Sequence, residues 1–300
     1  MAEETVRRGF RRWRGPVVAW IACAAWAAYW IHDEAGKPPP EPWPAWLAEP
    51  IPWAAWEMPV LFAGALVLLW FVAGAILGRV RTRMRPSRRH RGEFAEAAGA
   101  WLLLDLAVYA AAARGFGESW GLFEWAMVPL VVVGIGLAWP VFLGVDGRRS
   151  QAALGLTRGR GVAVETAIGL LAVPAVLAIQ GCWTLLVSPH LGRPNPIDDW
   201  LYSGDPSLRS YAIFACVVQA PLFEECGFRG LLHRFLRDSA RRLSGPVAAC
   251  AAALVSSAVF AIAHPYGWIG LVPILLFGLA AAVLREWRGS LVAPIALHAG

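Results

Sequence analysis

The sequence predicts an all-α protein, a polytopic transmembrane helix bundle of about eight to nine spans. Three observations carry this. Of the 300 residues, 58% are hydrophobic and only 16% charged, whereas soluble domains lie near 45–50% and about 25%. Mean hydropathy is +0.51. The apolar residues gather in runs long enough to cross a bilayer, each needing about 20 residues, and arginines occupy the loops between them.

The elements follow in order. Five arginines, Arg7, Arg8, Arg11, Arg12 and Arg14, precede an apolar run from Pro16 to Ile31. Arg7-Arg8-Gly9-Phe10 resembles a twin-arginine signal, but no polar cleavage region follows, and the run reads as a first membrane helix held on the cytoplasmic side by its arginines. Residues 36–57 are rich in Pro and Trp. The prolines forbid a long helix and the tryptophans suit a membrane interface. Further spans are expected at 58–78, 97–113, 122–145, 162–187, 209–232, 246–264, 267–284 and from 291 onward.

With the N-terminus inside, the inner segments hold 23 of the 27 Lys plus Arg, and only Lys37, Arg114, Arg193 and Arg209 fall outside. That bias sets the expected orientation. The basic run at 79–93 reads as topology plus attraction to anionic lipid. The net charge of +6 is explained by the same loops, and no helix-turn-helix, zinc-finger or RNP pattern occurs, so nucleic acid is not an expected partner. The lipid bilayer is. The five cysteines lie in apolar segments without a CxxC and read as buried thiols. One lysine against 26 arginines suggests a GC-rich, bacterial genome, and hence a bacterial plasma membrane.

Chemistry concentrates near the C-terminus. Glu224 and Glu225 follow the uncharged stretch Tyr211–Phe223, with Arg229 four residues on. An intramembrane carboxylate costs about 2.5–3.5 kcal/mol even on lenient insertion scales, so a pair needs a reason. On a helix the two point about 100° apart. Glu225 and Arg229, at i,i+4, can pair along one face, which leaves Glu224 to face a polar cavity as a general base. His264 ends the next apolar run, one helical turn after Phe260, and His298 lies within the last. Each histidine alone would read as interfacial or structural. Three polar intrusions in successive C-terminal spans are hard to explain by packing. Asp105 is a further intramembrane carboxylate, expected to pair with an arginine of a neighbouring helix. Cys226, beside the glutamates, reads as packing.

The motif Ala220-Pro221-Leu222-Phe223-Glu224-Glu225-x-x-x-Arg229-Gly230, then Phe260-x-x-x-His264, then His298, resembles the CPBP family, which comprises type II CAAX prenyl endopeptidases and bacteriocin-processing or self-immunity proteins. The resemblance covers about residues 150–300. It divides the chain into N-terminal transmembrane helices with a basic cytoplasmic loop (1–150) and an intramembrane protease core (151–300).

The resemblance implies an intramembrane endopeptidase acting on membrane-associated peptides or proteins. Glu224, aided by His264, would activate a water. His298 would stabilise the oxyanion, and Glu225, Arg229 and Phe260 would support the site. The family's third motif places an Asn or Asp four residues after its histidine, at position 302, two beyond Gly300, and the last apolar run is short for a span, so the chain is expected to be truncated.

The family is often labelled metalloprotease. Glu224, His264 and His298 could ligate zinc, yet no HExxH occurs and the glutamates serve equally as base and ion-pair partner, so the metal stays open. The competing readings are a non-catalytic membrane scaffold or self-immunity protein and a proton-coupled transporter. No feature names a substrate. One tension is that linear counting puts Glu224 toward the inner half of its span and His264 near the outer end of the next. They meet if the Glu224 helix runs on through Arg237.

Overall fold

The computed structural model describes residues 2–36, 82–84, 89–115, 117, 120–186, 200–264 and 267–300. Among them are nine helices and no strand. These are α1 (Ala2–Gly36), α2 (Arg91–Ala113), α3 (Leu122–Phe142), the short α4 (Gly147–Leu154), α5 (Val162–Leu186), α6 (Pro206–Ser239), α7 (Gly245–Ile262), α8 (Gly267–Arg288) and the short α9 (Val292–Ala299). Helices α2, α3, α5, α6, α7 and α8 are long and apolar enough to cross a membrane. The expected first span lies in α1, which is not among the six because Trp20, Trp26, Tyr29 and Trp30 dilute its hydropathy. The expected span at 58–78, the Pro/Trp connector from residue 37 and residues 79–81 and 85–88 of the basic run lie outside the described residues.

Close backbone approaches assemble the bundle. A Cβ on Gly15 of α1 would stand 2.2 Å from the Gly92 carbonyl oxygen of α2, and one on Gly169 of α5 would stand 2.3 Å from the Ala293 oxygen of α9. Such approaches are how helices gain packing when the solvent is as apolar as they are. Helices α7 and α8 form a further antiparallel pair. A central aromatic cluster joins the early and late parts of the chain. Trp26 of α1, Trp101 of α2, Phe228 of α6 and Phe260 of α7 are all 3% exposed or less, and the Phe228 ring lies 5.1 Å from both Trp101 and Phe260.

Helix α6 is the longest apolar helix, 34 residues, and it changes pitch along its length. Two α-helical turns are followed by a π segment (Ala215–Gln219), an α turn (Ala220–Glu224), a second π segment (Glu225–Leu232) and a final α stretch from His233. Pro221 lacks an N–H and its ring crowds the carbonyl four residues back. That residue, Val217, lies in the first π segment, where the ladder widens to five-back bonds. In the second, Gly227 faces the Trp101 indole so closely that a Cβ would stand 2.2 Å from it. The expected span at 209–232 therefore begins earlier and continues to Ser239. Because the helix runs on past Arg237, Glu224 sits near its middle, level with the end of α7, and the tension in the linear count disappears.

The helix ends carry buried ion pairs. Arg288 bonds Glu165 bidentately at 2.7 and 2.8 Å, Arg234 pairs with Asp238 at 3.0 Å, and Arg237 with Glu286 at 2.6 Å. His233 joins Glu286 at 3.0 Å, and the segment at 82–84 docks there through Thr82 Oγ1 on the same carboxylate and the Arg83 N–H on the Glu286 carbonyl. Arg229, Arg234, Arg237, Arg285 and Arg288 are thus inside the bundle, each 4% exposed or less. Counting them as loop charges overstates the topological bias, because four of them pair with carboxylates and Arg285 donates to the Arg229 and Ala153 carbonyls.

Two side-chain expectations are corrected. Among the described residues Asp105 bonds no arginine: its Oδ2 accepts from the Trp26 indole N–H at 2.8 Å, because α1, carrying that indole, packs on α2. Of the cysteines, Cys23 and Cys226 are buried, Cys250 is exposed and Cys216 is exposed to the cavity described below, whereas the side chain of Cys182 lies outside the described residues.

Candidate active site

The site is built from the middle of α6, the turn after α7 and the end of α9. Phe223 and Phe228 point into the aromatic cluster, which fixes the rotation of α6 and turns Glu224 toward a cavity of about 530 Å³. His264 lies two residues beyond α7, held by its Nδ1–H donating to the Phe260 carbonyl at 2.8 Å. A carbonyl only accepts, so Nδ1 carries the proton and Nε2 faces the cavity. Helix α9 is anchored at its start by Leu291 N–H donating to the Gly155 carbonyl at 2.9 Å and by Ser290 Oγ donating to the Thr157 carbonyl at 2.5 Å. It lies against α5 at the Gly169 contact and brings His298 in from the third side.

The three side chains converge. Glu224 Oε2 is 3.6 Å from His264 Nε2 and 3.8 Å from His298 Nε2. These separations exceed a direct hydrogen bond, and they leave the carboxylate oxygen with both imidazoles in reach of one small polar molecule. Glu224, His264 and His298 all line the cavity.

Behind them is a support that the sequence indicates only in part. Glu225 is wholly buried, as is Arg229, and the two pair at 3.1 Å, as the i,i+4 spacing predicts. The Arg229 guanidinium also donates to the Gly278 carbonyl at 3.1 Å and lies 4.2 Å from the centroid of the Phe260 ring, so Phe260 stacks on a cation while it carries His264. The contact missed by sequence is His298 Nδ1 on Glu225 Oε1 at 3.1 Å. Spacing along one helix cannot show a partner 73 residues away. A carboxylate oxygen only accepts, so Nδ1 carries a proton toward Glu225 and Nε2 is the ring nitrogen turned to Glu224. The lining also includes residues of α1 and α2, namely Trp26, Trp30, Asp105 and Tyr109.

Glu224, His264 and His298 are also the side chains that the sequence offers to zinc. Ligands 2.0–2.1 Å from a tetrahedral zinc stand about 3.4 Å apart, closer than the pairs here. Among the described residues no group of three His, Cys, Asp or Glu converges in a way that could hold a metal ion. No step below uses one.

Residues 206–300 match the model of the family described as type II CAAX prenyl endopeptidase Rce1-like. The matched stretch contains the first two motifs and the histidine of the third, and over it the resemblance read from them holds. Searches of curated proteins and of solved structures gave no match.

Proposed function

We propose that this integral membrane protein, similar over residues 206–300 to the type II CAAX prenyl endopeptidases, hydrolyses peptide bonds of membrane-associated peptides or proteins with Glu224 as the base. The observation that carries the reading is the convergence of Glu224, His264 and His298 from three separate elements on one cavity. An ion-paired cluster that only locks helices needs Glu225 and Arg229, which already satisfy each other. It does not need a second carboxylate facing two imidazoles across a space.

In the reaction, Glu224 takes a proton from a water lying between it and His264. The hydroxide attacks the scissile carbonyl carbon. In this step His298 carries both ring protons, Nδ1–H on Glu225 and Nε2–H on the oxyanion, and one such preorganised donor is worth about 10²–10³ in kcat. The C–N bond then breaks, and the proton held on Glu224 passes to the leaving amine. Arg229 and Phe260 position this machinery and touch no reacting atom.

The test compares membrane peptidomes of cells expressing the protein and its Glu224→Gln variant at equal membrane abundance. Cleavage products present only with Glu224 are expected, and they name the substrates. Chelators are expected to leave those products unchanged. Identical peptidomes from two folded proteins would move the assignment to a non-catalytic scaffold or immunity protein, and a pH-dependent solute flux lost in the variant would move it to a transporter. The arginine distribution further supports a cytoplasmic N-terminus in a bacterial plasma membrane.

A further inference from the structure

The cavity contains a second carboxylate for which hydrolysis has no use. Asp105, on α2, is 5% exposed and lines the cavity with Glu224. It lies outside the residues that match the endopeptidase family. The other buried acids have cationic partners: Glu225 has Arg229, Glu165 has Arg288, Asp238 has Arg234, Glu286 has Arg237, and Glu224 faces two imidazoles. Among the described residues no cation pairs with Asp105. Its one bond, from the Trp26 indole N–H, satisfies a lone pair without offsetting a charge.

Aromatic rings line the same cavity. Trp26 and Trp30 lie 5.9 Å apart, and Trp30 and Tyr109 4.9 Å. A dehydrated ammonium or guanidinium group is stabilised by a charge-assisted bond to a carboxylate and by the negative faces of aromatic rings. This part of the cavity offers both. An apolar group there would leave the carboxylate buried and unpaired, and an anion would be repelled.

We propose that Asp105, with Trp26, Trp30 and Tyr109, forms a specificity pocket for a basic side chain, lysine or arginine, of the membrane peptide. The pocket opens on the space that Glu224 faces, so the basic residue lies near the bond to be cut. That last clause rests on the hydrolytic reading, whereas binding of the basic residue does not.

The experiment uses the full chain in phosphatidylcholine vesicles, whose surface does not attract a peptide's charge. Two apolar fluorescent peptides differ at one position, lysine against norleucine. With Glu224→Gln as background, the lysine peptide is expected to bind about tenfold more tightly or better, and adding Asp105→Asn is expected to bring the ratio near one. With Glu224 intact, kcat/KM is expected to show the same discrimination. The ratio between peptides does not depend on how much of a variant folds, and the parent's own discrimination needs no Asp105 variant. Equal binding of both peptides would overturn the proposal, because Asp105 would then serve only to hold Trp26. So would a lysine preference that survives Asp105→Asn. Selective binding without cleavage of either peptide supports the pocket and counts against the hydrolytic reading, which keeps the two failures distinct.

Discussion

Glu225 has two obligations, to Arg229 and to His298, through a single carboxylate oxygen. Removing its charge leaves the wholly buried Arg229 without its counter-ion and His298 without the group that orients it. Breaking one half of a buried pair costs about 3–5 kcal/mol, whereas replacing both halves by apolar groups of similar size is often neutral. Glu225→Gln is therefore expected to lower stability by about that amount in thermal unfolding of detergent-purified protein, and Glu225→Gln with Arg229→Met is expected to recover much of it. Activity is expected to stay low in the double variant, because His298 is still unheld. A double variant no more stable than the single one would show that the pair is not what stabilises this part of α6. At this scale the sequence was informative about identity and poor about partnership. Glu224, Glu225, Arg229, His264 and His298 are all visible as polar intrusions in apolar runs, and the i,i+4 pair follows from spacing. The His298–Glu225 bond and the indole on Asp105 cross between helices far apart in the chain, and nothing local encodes them.

Among the helices, α6 shows what periodicity can and cannot supply. Its existence, its apolar character and its acidic centre follow from composition. Its two π segments do not, because a hydrophobic pattern read at 3.6 residues per turn has no term for a wider turn. The first has a visible cause in Pro221. The second depends on Gly227 meeting an indole of another helix. Gly227→Ala is expected to cost about 1–3 kcal/mol, the usual penalty for forcing a methyl group into a filled core, and to lower activity with it, since Trp101 and Phe228 fix the direction of Glu224. Unfolding in detergent together with cleavage of any substrate found by peptidomics checks both. Unchanged stability would mean that the indole moves aside at no cost.

For the whole molecule, the span pattern was legible over α5, α7 and α8 to within a few residues at their ends, whereas α6 runs on to Ser239 and the run from 291 is the short α9 rather than one of the six spans. Orientation is a separate matter, since five of the arginines that seemed to report on it are buried among helices. Those that remain still favour a cytoplasmic N-terminus. A green fluorescent protein fused at the N-terminus and a reporter inserted in the turn at 240–244 are both expected to report a cytoplasmic location. Alkaline phosphatase activity from the 240–244 insertion would reverse the assignment. The cavity is lined from both sides of the family boundary: Glu224, His264 and His298 lie within residues 206–300, while Trp26, Trp30, Asp105 and Tyr109 lie outside them. The two groups meet only across open space and the aromatic cluster, and no covalent neighbour of one belongs to the other. Such a seam permits retargeting. On the reading proposed above, a chimera that kept α6 to α9 and borrowed its first helices from a relative is expected to take its reaction from one parent and its choice of peptide from the other.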